Sequence, residues 1–222
     1  MKEIKGIQVL ETLEEIADPK HTALVIVDIQ NDNASPKGAL ASRGIDISGI
    51  RDIIPRIKKV LHEARQLGLF IIFLRRTRSR DGSHESGPIL RLAQKRVYTK
   101  GLSEYEIEGT WGNEVLDELE PRPNERQIIK YHSSGFIGTS LDLILRNRRI
   151  SSVVVVGLVT EGCVLATVKD LEQYGYYPVV LKDCVWSHRK NLHEAALAIM
   201  SERLDVVTSE ELLEVWHSAG NL

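Results

Sequence analysis

The 222-residue sequence predicts an α/β protein, a three-layer doubly wound fold built on a central six-stranded, mainly parallel sheet. Two observations favour this class. Short apolar runs rich in β-branched residues alternate along the chain with segments of helical periodicity, as in βαβ units. The run SVVVVG (152–157) contains no charged residue, which is typical of a strand buried on both faces of a sheet. A single domain over residues 1–222 is expected, since no linker or internal repeat interrupts this pattern.

The first half of the chain contains two predicted strands joined by a long helix. Strand 22–28 ends at Asp28, and the polar segment QNDNASPKG shortly after it is typical of a turn rather than a helix. Apolar residues then recur at helical spacing over 50–67, where Gly68 ends the helix. The second strand is predicted over 69–74.

The middle of the chain has little periodicity. Residues 75–112 contain many charges and glycines and predict a long loop or lid. A short helix is predicted over 114–120, where Pro121 stops it. The third strand, 127–130, ends at Lys130.

The second half continues the alternation of strands and helices. Its strands are predicted at 152–157, 177–181 and 205–207. Its helices are predicted at about 139–149, 162–174, 192–199 and 208–217. Thr139 with Asp142, and Thr208 with Glu211, have the spacing of capping boxes at two of these helix starts.

Composition excludes several classes of function. Apolar residues make up 42% and charged residues 27%, as in an ordinary soluble globular protein. With 29 Lys and Arg against 31 Asp and Glu, the chain has no basic excess for binding nucleic acid or an anionic membrane surface. No apolar run approaches the roughly 20 residues of a membrane span. The N-terminal segment has no apolar core of a signal peptide, so a cytoplasmic protein is expected, with Cys163 and Cys184 as reduced thiols.

Three residues with chemical potential fall where ligands bind in parallel α/β sheets, outside the carboxyl ends of the strands. Asp28 closes the first strand, Lys130 closes the third, and Cys163 opens the helix after the fourth. A helix N-terminus and a nearby ammonium both favour a thiolate, so Cys163 is expected to have a lowered pKa and to act as a nucleophile. Asp28 could accept its proton and pass it to a leaving amine.

Each residue also has an ordinary structural interpretation. Cys163 could be a small buried apolar residue, Asp28 a turn cap and Lys130 a solvated strand end. Cys184, within LKDCVW, is better interpreted as a packing residue. The edge that the first three share favours the catalytic interpretation for all of them.

The motifs GLVTEGCV, ALVIVDIQND and IIKYHSSGF, which surround these three residues, resemble those of the isochorismatase-like cysteine hydrolase superfamily, whose fold is Rossmann-like. The likeness extends over about 22–207. Within the superfamily, GTWGNEV and KYHSSGFIGTSLDLILR are most similar to the branch of ureidoacrylate, biuret and N-carbamoylsarcosine amidohydrolases.

This resemblance implies a catalytic triad of Asp28, Lys130 and Cys163 that cleaves a C–N bond of a small linear amide, ureido or carbamoyl compound through a thioacyl enzyme. It implies a cis peptide at Val159–Thr160 and an oxyanion hole at Thr160 and Cys163. It also implies a small-molecule substrate, no cofactor, and assembly into homodimers or homotetramers.

No metal site is expected. Nicotinamidases of the superfamily have an Asp-x-His pair after the second strand, whereas here Asp81 and His84 have a different spacing. His132 lies close in sequence to Lys130 and could border the site.

Candidate substrate contacts lie beside the predicted strand ends. Gln30 and Asn33 follow the first strand, and Arg75 and Arg76 end the second. A guanidinium there could bind a substrate carboxylate, or could face solvent or another subunit. Trp111 and Tyr105 could form an apolar wall, or pack in the core.

Two other functions stay open. One is isochorismatase-type hydrolysis of another small substrate, such as a vinyl ether, which the family carries out without the cysteine. The other is a non-catalytic scaffold that retains the fold.

Overall fold

A computed structural model describes residues 1–95 and 104–219 of the chain. The strands are β1 (Lys2–Ile4), β2 (Ile7–Val9), β3 (Thr22–Val27), β4 (Phe70–Arg76), β5 (Arg126–Lys130), β6 (Ser152–Leu158), β7 (Tyr177–Trp186) and β8 (Asp205–Val207). The helices are α1 (Leu13–Ile16), α2 (Asn31–Ala34), α3 (Ala39–Ser42), α4 (Ser48–Gln66), α5 (Gly87–Gln94), α6 (Leu141–Asn147), α7 (Leu165–Gln173), α8 (Lys190–Ser201) and α9 (Ser209–Ala219).

The central sheet has six strands in the order β5-β4-β3-β6-β7-β8, and all neighbouring pairs are parallel. The predicted fold class is therefore confirmed. The first strand of this sheet along the chain is β3, near its centre. Strands β4 and β5 follow toward one edge, and the chain then returns to place β6 on the other side of β3. Because the strand order reverses between β3 and β6, their carboxyl ends border the crevice where such sheets bind ligands.

Two apolar clusters cover the two faces of the sheet. Leu24 and Ile26 of β3 pack with α4 and α9 on one face, whereas Val25 and Val27 pack with α6 and α7 on the other. Successive strand side chains point to opposite faces, so an apolar run with no polar alternation requires helices on both sides. The charge-free strand β6 is covered in the same way: Val154 and Val156 pack on one face, and Val153 and Val155 pack on the other.

The strand predictions agree with the structure to within two residues except for β7, which continues to Trp186 rather than ending at 181. The capping box at Thr208 is confirmed, since the Thr208 and Glu211 side chains each bond the other's backbone N–H. The capping box predicted at Thr139 is wrong. Helix α6 begins one residue later than a Thr139 cap requires, and the Thr139 hydroxyl donates to the Gly135 carbonyl.

Several short elements were not predicted. The polar segment predicted as a turn contains α2, and α3 follows it directly; each is a single helical turn. The segment 114–120, predicted as a helix, has one 3-10 turn at Asp117–Leu119, and another precedes it at Trp111–Asn113. The N-terminal hairpin β1–β2 and helix α1 are too short for periodicity to show.

Part of the predicted long loop is helical. Helix α5 lies within 75–112, with the Ser86 hydroxyl accepting from the N–H of Ile89 and a proline in its first turn. Residues 96–103 of that loop lie outside the described residues. Across the described ranges, 1–95 and 104–219, no helix has the length and apolar character that crossing a bilayer requires.

Candidate active site

Asp28 follows β3 directly and has a left-handed backbone conformation, with φ at 54°. Its N–H donates to the Leu74 carbonyl over 3.0 Å. The Asp28 carboxylate accepts from two sides: Oδ1 from the N–H of Arg76 over 2.9 Å, and Oδ2 from Lys130 Nζ over 2.8 Å. These bonds fix the orientation of a carboxylate that is only 4% exposed.

Lys130 is the last residue of β5, and its side chain is fully buried. Besides Asp28, its ammonium donates to the carbonyls of Ser133 (3.1 Å) and His132 (3.3 Å), so all three of its hydrogens have acceptors. Burial opposes the charge, but the Asp28 carboxylate, together with Cys163, raises the pKa of Lys130 above its usual value. The group is therefore a fixed cation, and His132 reaches the site only through its backbone.

Cys163 lies in a π-helical turn, Thr160–Val164, that joins β6 to α7. The turn carries the sulfur to the same cavity that the Asp28 side chain borders. Burial and the Asp28 charge raise the pKa of Cys163 to about 11, although Lys130 acts in the opposite direction. The expectation of a lowered pKa is wrong, because loss of solvation outweighs the helix terminus and the ammonium. At neutral pH, Cys163 is therefore a thiol rather than a thiolate.

The backbone around Thr160 turns sharply. The cis peptide lies at Leu158–Val159, so the predicted position at Val159–Thr160 is wrong by one residue; neither bond contains the proline that would mark a cis isomer in a sequence. The Val159 carbonyl accepts from the N–H groups of Gly162 and Val164. The buried Thr160 hydroxyl bonds His193 Nδ1 at 2.8 Å. An oxyanion hole formed by Thr160 and Cys163 stays a prediction.

A cavity of about 380 Å³ opens beside the sulfur. Its wall includes Asp28, Asn33, Arg76, Tyr105, Glu161 and Cys163. Leu92 and Lys95, near the end of α5, also border it, so the segment predicted as a loop or lid contributes to the wall. The size suits a small molecule rather than a polymer.

The predicted substrate contacts fall in different places. Asn33 lines the cavity, where its amide donates to the Asp28 carbonyl and to Glu106 Oε1. Gln30 is fully buried, and its side chain bonds the backbone of other segments. Its amide nitrogen donates to the carbonyls of Arg76 and Asn113, and its amide oxygen accepts from the Arg76 N–H. A substrate contact by Gln30 is therefore wrong, since both ends of its amide are used within the protein.

Arg75 and Trp111 do not border the cavity. Arg75 forms an ion pair with Glu114, and the Trp111 indole N–H donates to the Asp117 carboxylate. Successive residues of a strand point to opposite faces, so Arg76 rather than Arg75 lines the cavity. There the Arg76 guanidinium donates to the Tyr131 carbonyl. The predicted substrate contacts by Arg75 and Trp111 are therefore wrong, since neither side chain lines the cavity.

Sequence reasoning missed Glu161, Ser187 and Arg189 in the cavity wall. Glu161 lies within the motif GLVTEGCV, but a position two residues before Cys163 does not show which side chains its carboxylate contacts in the fold. Ser187 and Arg189 follow the unpredicted extension of β7.

Asp81 and His84 do not form a metal site. The Asp81 carboxylate accepts from the N–H of Ser83, and the His84 ring stacks on Tyr131 with centroids 3.8 Å apart. Among residues 1–95 and 104–219 there is no group of three or more His, Cys, Asp or Glu side chains able to hold a metal ion.

Comparisons with known proteins show the family to which the chain belongs. Residues 22–211 match the family model described as isochorismatase domain. The chain is 34% identical over 174 residues to ureidoacrylate amidohydrolase RutB of Agrobacterium fabrum, covering 74% of this chain and 75% of that protein. It is 36% identical over 173 residues to the ureidoacrylate amidohydrolase RutB of Caulobacter segnis, covering 75% and 72%. The crystal structure of a cysteine hydrolase from Pseudomonas syringae pv. phaseolicola superposes with a TM-score of 0.80 at 25% identity, covering 91% of this chain and 95% of that one.

Proposed function

Since the chain belongs to the isochorismatase family and is a hydrolase of C–N bonds other than peptide bonds, we propose that it is a cysteine-dependent amidohydrolase of small linear amide, ureido or carbamoyl compounds. One observation carries the proposal: the Cys163 thiol borders the same cavity as the Asp28 carboxylate, which is itself paired with a buried Lys130 ammonium. This arrangement supplies a nucleophile, a proton acceptor and a fixed positive charge for acyl transfer.

The first half of the reaction transfers the acyl group to sulfur. Asp28 takes the thiol proton as Cys163 Sγ bonds to the substrate carbonyl carbon, and the π electrons of the carbonyl move to its oxygen. The backbone N–H groups of Thr160 and Cys163 hold that oxyanion. When the oxyanion collapses, the C–N bond breaks, and the departing nitrogen takes the proton from Asp28 and leaves as ammonia or an amine.

The second half releases the enzyme. Water attacks the thioacyl carbon while Asp28 takes one of its protons, and the C–S bond then breaks. Asp28 returns the proton to Cys163 Sγ, so that an acid or carbamate and the free thiol are the products. The pKa of about 11 suits this cycle, because the thiol is ionised only when its proton moves to Asp28 during attack.

Lys130 has a distinct role in this scheme. Its charge is held by the carboxylate and two carbonyls, and so it cannot act as an acid at neutral pH. It pairs with Asp28 and offsets the negative charge that passes between carboxylate and sulfur.

The relatives' names point to the substrate class. The proteins from Agrobacterium fabrum and Caulobacter segnis are named for ureidoacrylate, a small ureido acid. Lys95, a solvent-exposed cation at the cavity wall, is compatible with a substrate carboxylate. A ureido acid is the substrate that we propose to test first.

The test is ammonia release from 3-ureidoacrylate and a panel of small carboxamides. Cys163→Ala is expected to leave the melting temperature close to that of the wild type and to abolish release. Cys184→Ala, which removes the other thiol from a buried position outside the cavity wall, is the matched control and is expected to retain turnover. Ammonia release by Cys163→Ala would refute the mechanism, and inactivity of the wild type on the whole panel would refute the proposed function.

A further inference from the structure

Glu161 presents an incompletely bonded carboxylate beside the nucleophile. Its side chain is only 11% exposed and lines the same cavity as Cys163. Three donors converge on one of its oxygens: Ser187 Oγ lies 2.8 Å from Oε1, Arg189 Nη2 3.0 Å and Arg189 Nε 3.1 Å. The other oxygen, Oε2, is buried and accepts no hydrogen bond from the described residues.

The other carboxylates in the cavity wall differ from Glu161. Both oxygens of Asp28 are occupied by Lys130 and the Arg76 N–H, and Glu106 accepts from Asn33. Of the cavity-lining carboxylates in the described part of the chain, Glu161 is the one with a buried oxygen that has no partner. A buried acceptor without a donor is costly, so a donor brought by a ligand would bind there favourably.

The charge around Glu161 indicates which kind of donor fits. Arg189 already neutralises the carboxylate, so a substrate ammonium would add a second cation to a balanced pair. A neutral N–H group satisfies Oε2 without that excess. A ureido or acylurea nitrogen next to the reacting carbonyl has such an N–H, whereas an ester oxygen at the same position has only lone pairs, which repel the carboxylate.

We infer that Glu161 is a specificity-determining residue whose Oε2 accepts the N–H of the substrate nitrogen adjacent to the reacting carbonyl. The inference rests on the proposed function and narrows it. The preferred substrates have the form R–NH–CO–NH₂, and the corresponding compounds with oxygen in place of that NH are discriminated against.

The experiment measures binding without turnover. On Cys163→Ala protein, calorimetry compares 3-ureidoacrylate with 3-carbamoyloxyacrylate, in which oxygen replaces the ureido N–H. We expect the ureido compound to bind roughly 10- to 100-fold more tightly, the range for a hydrogen bond to a charged group. Equal affinity for the two compounds, or no binding of the ureido compound, would overturn the inference.

A variant assigns the preference to Glu161. In Cys163→Ala/Glu161→Gln, the amide can keep its oxygen toward Ser187 and Arg189 and turn its NH₂ toward the ligand. Donor then faces donor, and the preference for the ureido compound should disappear. Cys163→Ala/Glu194→Gln removes a carboxylate from the exposed surface of α8 and should keep it. A preference that survives Glu161→Gln in folded protein would also overturn the inference, and melting curves establish folding.

The two proposals fail in different ways. If the wild type releases ammonia through Cys163 but does not discriminate between the two compounds, only the role of Glu161 is lost. If Cys163-dependent turnover is absent, the proposed function itself is lost. Should Glu161→Gln fail to fold, equal affinity of the two ligands for Cys163→Ala would still overturn the inference, and Cys163→Ala/Glu161→Ala then tests whether the preference depends on this carboxylate.

Discussion

Lys130 Nζ lies 2.8 Å from Asp28 Oδ2 although their strands are not neighbours, since β4 runs between β5 and β3. The ammonium crosses over the end of β4, whose Arg76 N–H binds the other oxygen of the same carboxylate. The pair therefore ties the ends of three strands to one group. Because both side chains are buried, neither charge can be left without the other at low cost.

Removing the ammonium should destabilise the whole fold. Lys130→Met leaves the buried Asp28 carboxylate without its cation, and we expect a loss of about 3–5 kcal/mol in the free energy of unfolding. Denaturant titration measures it. Adding Asp28→Asn should recover part of the loss, because the uncompensated charge is then gone.

The surface ion pair of Lys169 with Glu172 on α7 provides a control. Lys169→Met should cost less than about 1 kcal/mol, as exposed pairs do. Similar losses for the two lysines would contradict the interpretation of Lys130 as a buried structural charge.

The pH dependence of alkylation tests the charge around Cys163. Since its pKa is raised to about 11, iodoacetamide labelling should be slow at neutral pH and increase as the pH approaches that value. Asp28 contributes to the raised pKa, so Asp28→Asn should move the midpoint of labelling to lower pH. Mass spectrometry of the peptide containing Cys163 gives the rate at each pH.

Cys184 serves as the internal control for that measurement. It is fully buried, and burial raises its pKa to about 12, so its peptide should stay unlabelled in the folded protein. A midpoint for Cys163 that stays constant or rises in Asp28→Asn would show that the carboxylate does not act on the thiol.

Gln30 should prove to be structural. Gln30→Met keeps the volume of the side chain but removes the donor to the Arg76 and Asn113 carbonyls. The Asn113 carbonyl would then lose a buried partner, and we expect a loss of about 1–3 kcal/mol in unfolding free energy. Because Gln30 lies outside the cavity wall, KM should change little. An unchanged stability together with a large rise in KM would restore the predicted substrate contact.

The sequence predicts the sheet well because its strands are apolar runs without alternation, such as that of β6, and such runs are stable only when covered on both faces. The same reasoning placed Asp28, Lys130 and Cys163 at one edge, since parallel strands end together. The resemblance added the chemistry that links them.

What the sequence could not give depends on contacts between distant segments. Alternate residues of β4 point to opposite faces of the sheet, so Arg76 faces the cavity and Arg75 does not. An error of one residue in the predicted end of the strand therefore assigns the cavity to the wrong arginine. The raised pKa of Cys163 depends on how deeply the π-helical turn is buried. The environment of Glu161 depends on Ser187 and Arg189, which follow β7 and donate hydrogen bonds to one of its oxygens.

Strands β3 and β6 approach each other closely at Gly157, which pairs with Val27. Its φ is 125°, and a Cβ built there would lie 2.1 Å from the carbonyl oxygen of Val27, the residue before Asp28. Gly157→Ala should therefore displace β3 or β6, lower the unfolding free energy by at least about 2 kcal/mol and reduce ammonia release. Gly68→Ala is the control, because Gly68 also has a positive φ but nothing lies within 4 Å of its Cβ position. It should lose only about 1 kcal/mol and keep full activity, since the strain is then confined to the turn after α4. Equal losses in the two variants would mean that backbone conformation, rather than contact with Val27, requires glycine at 157.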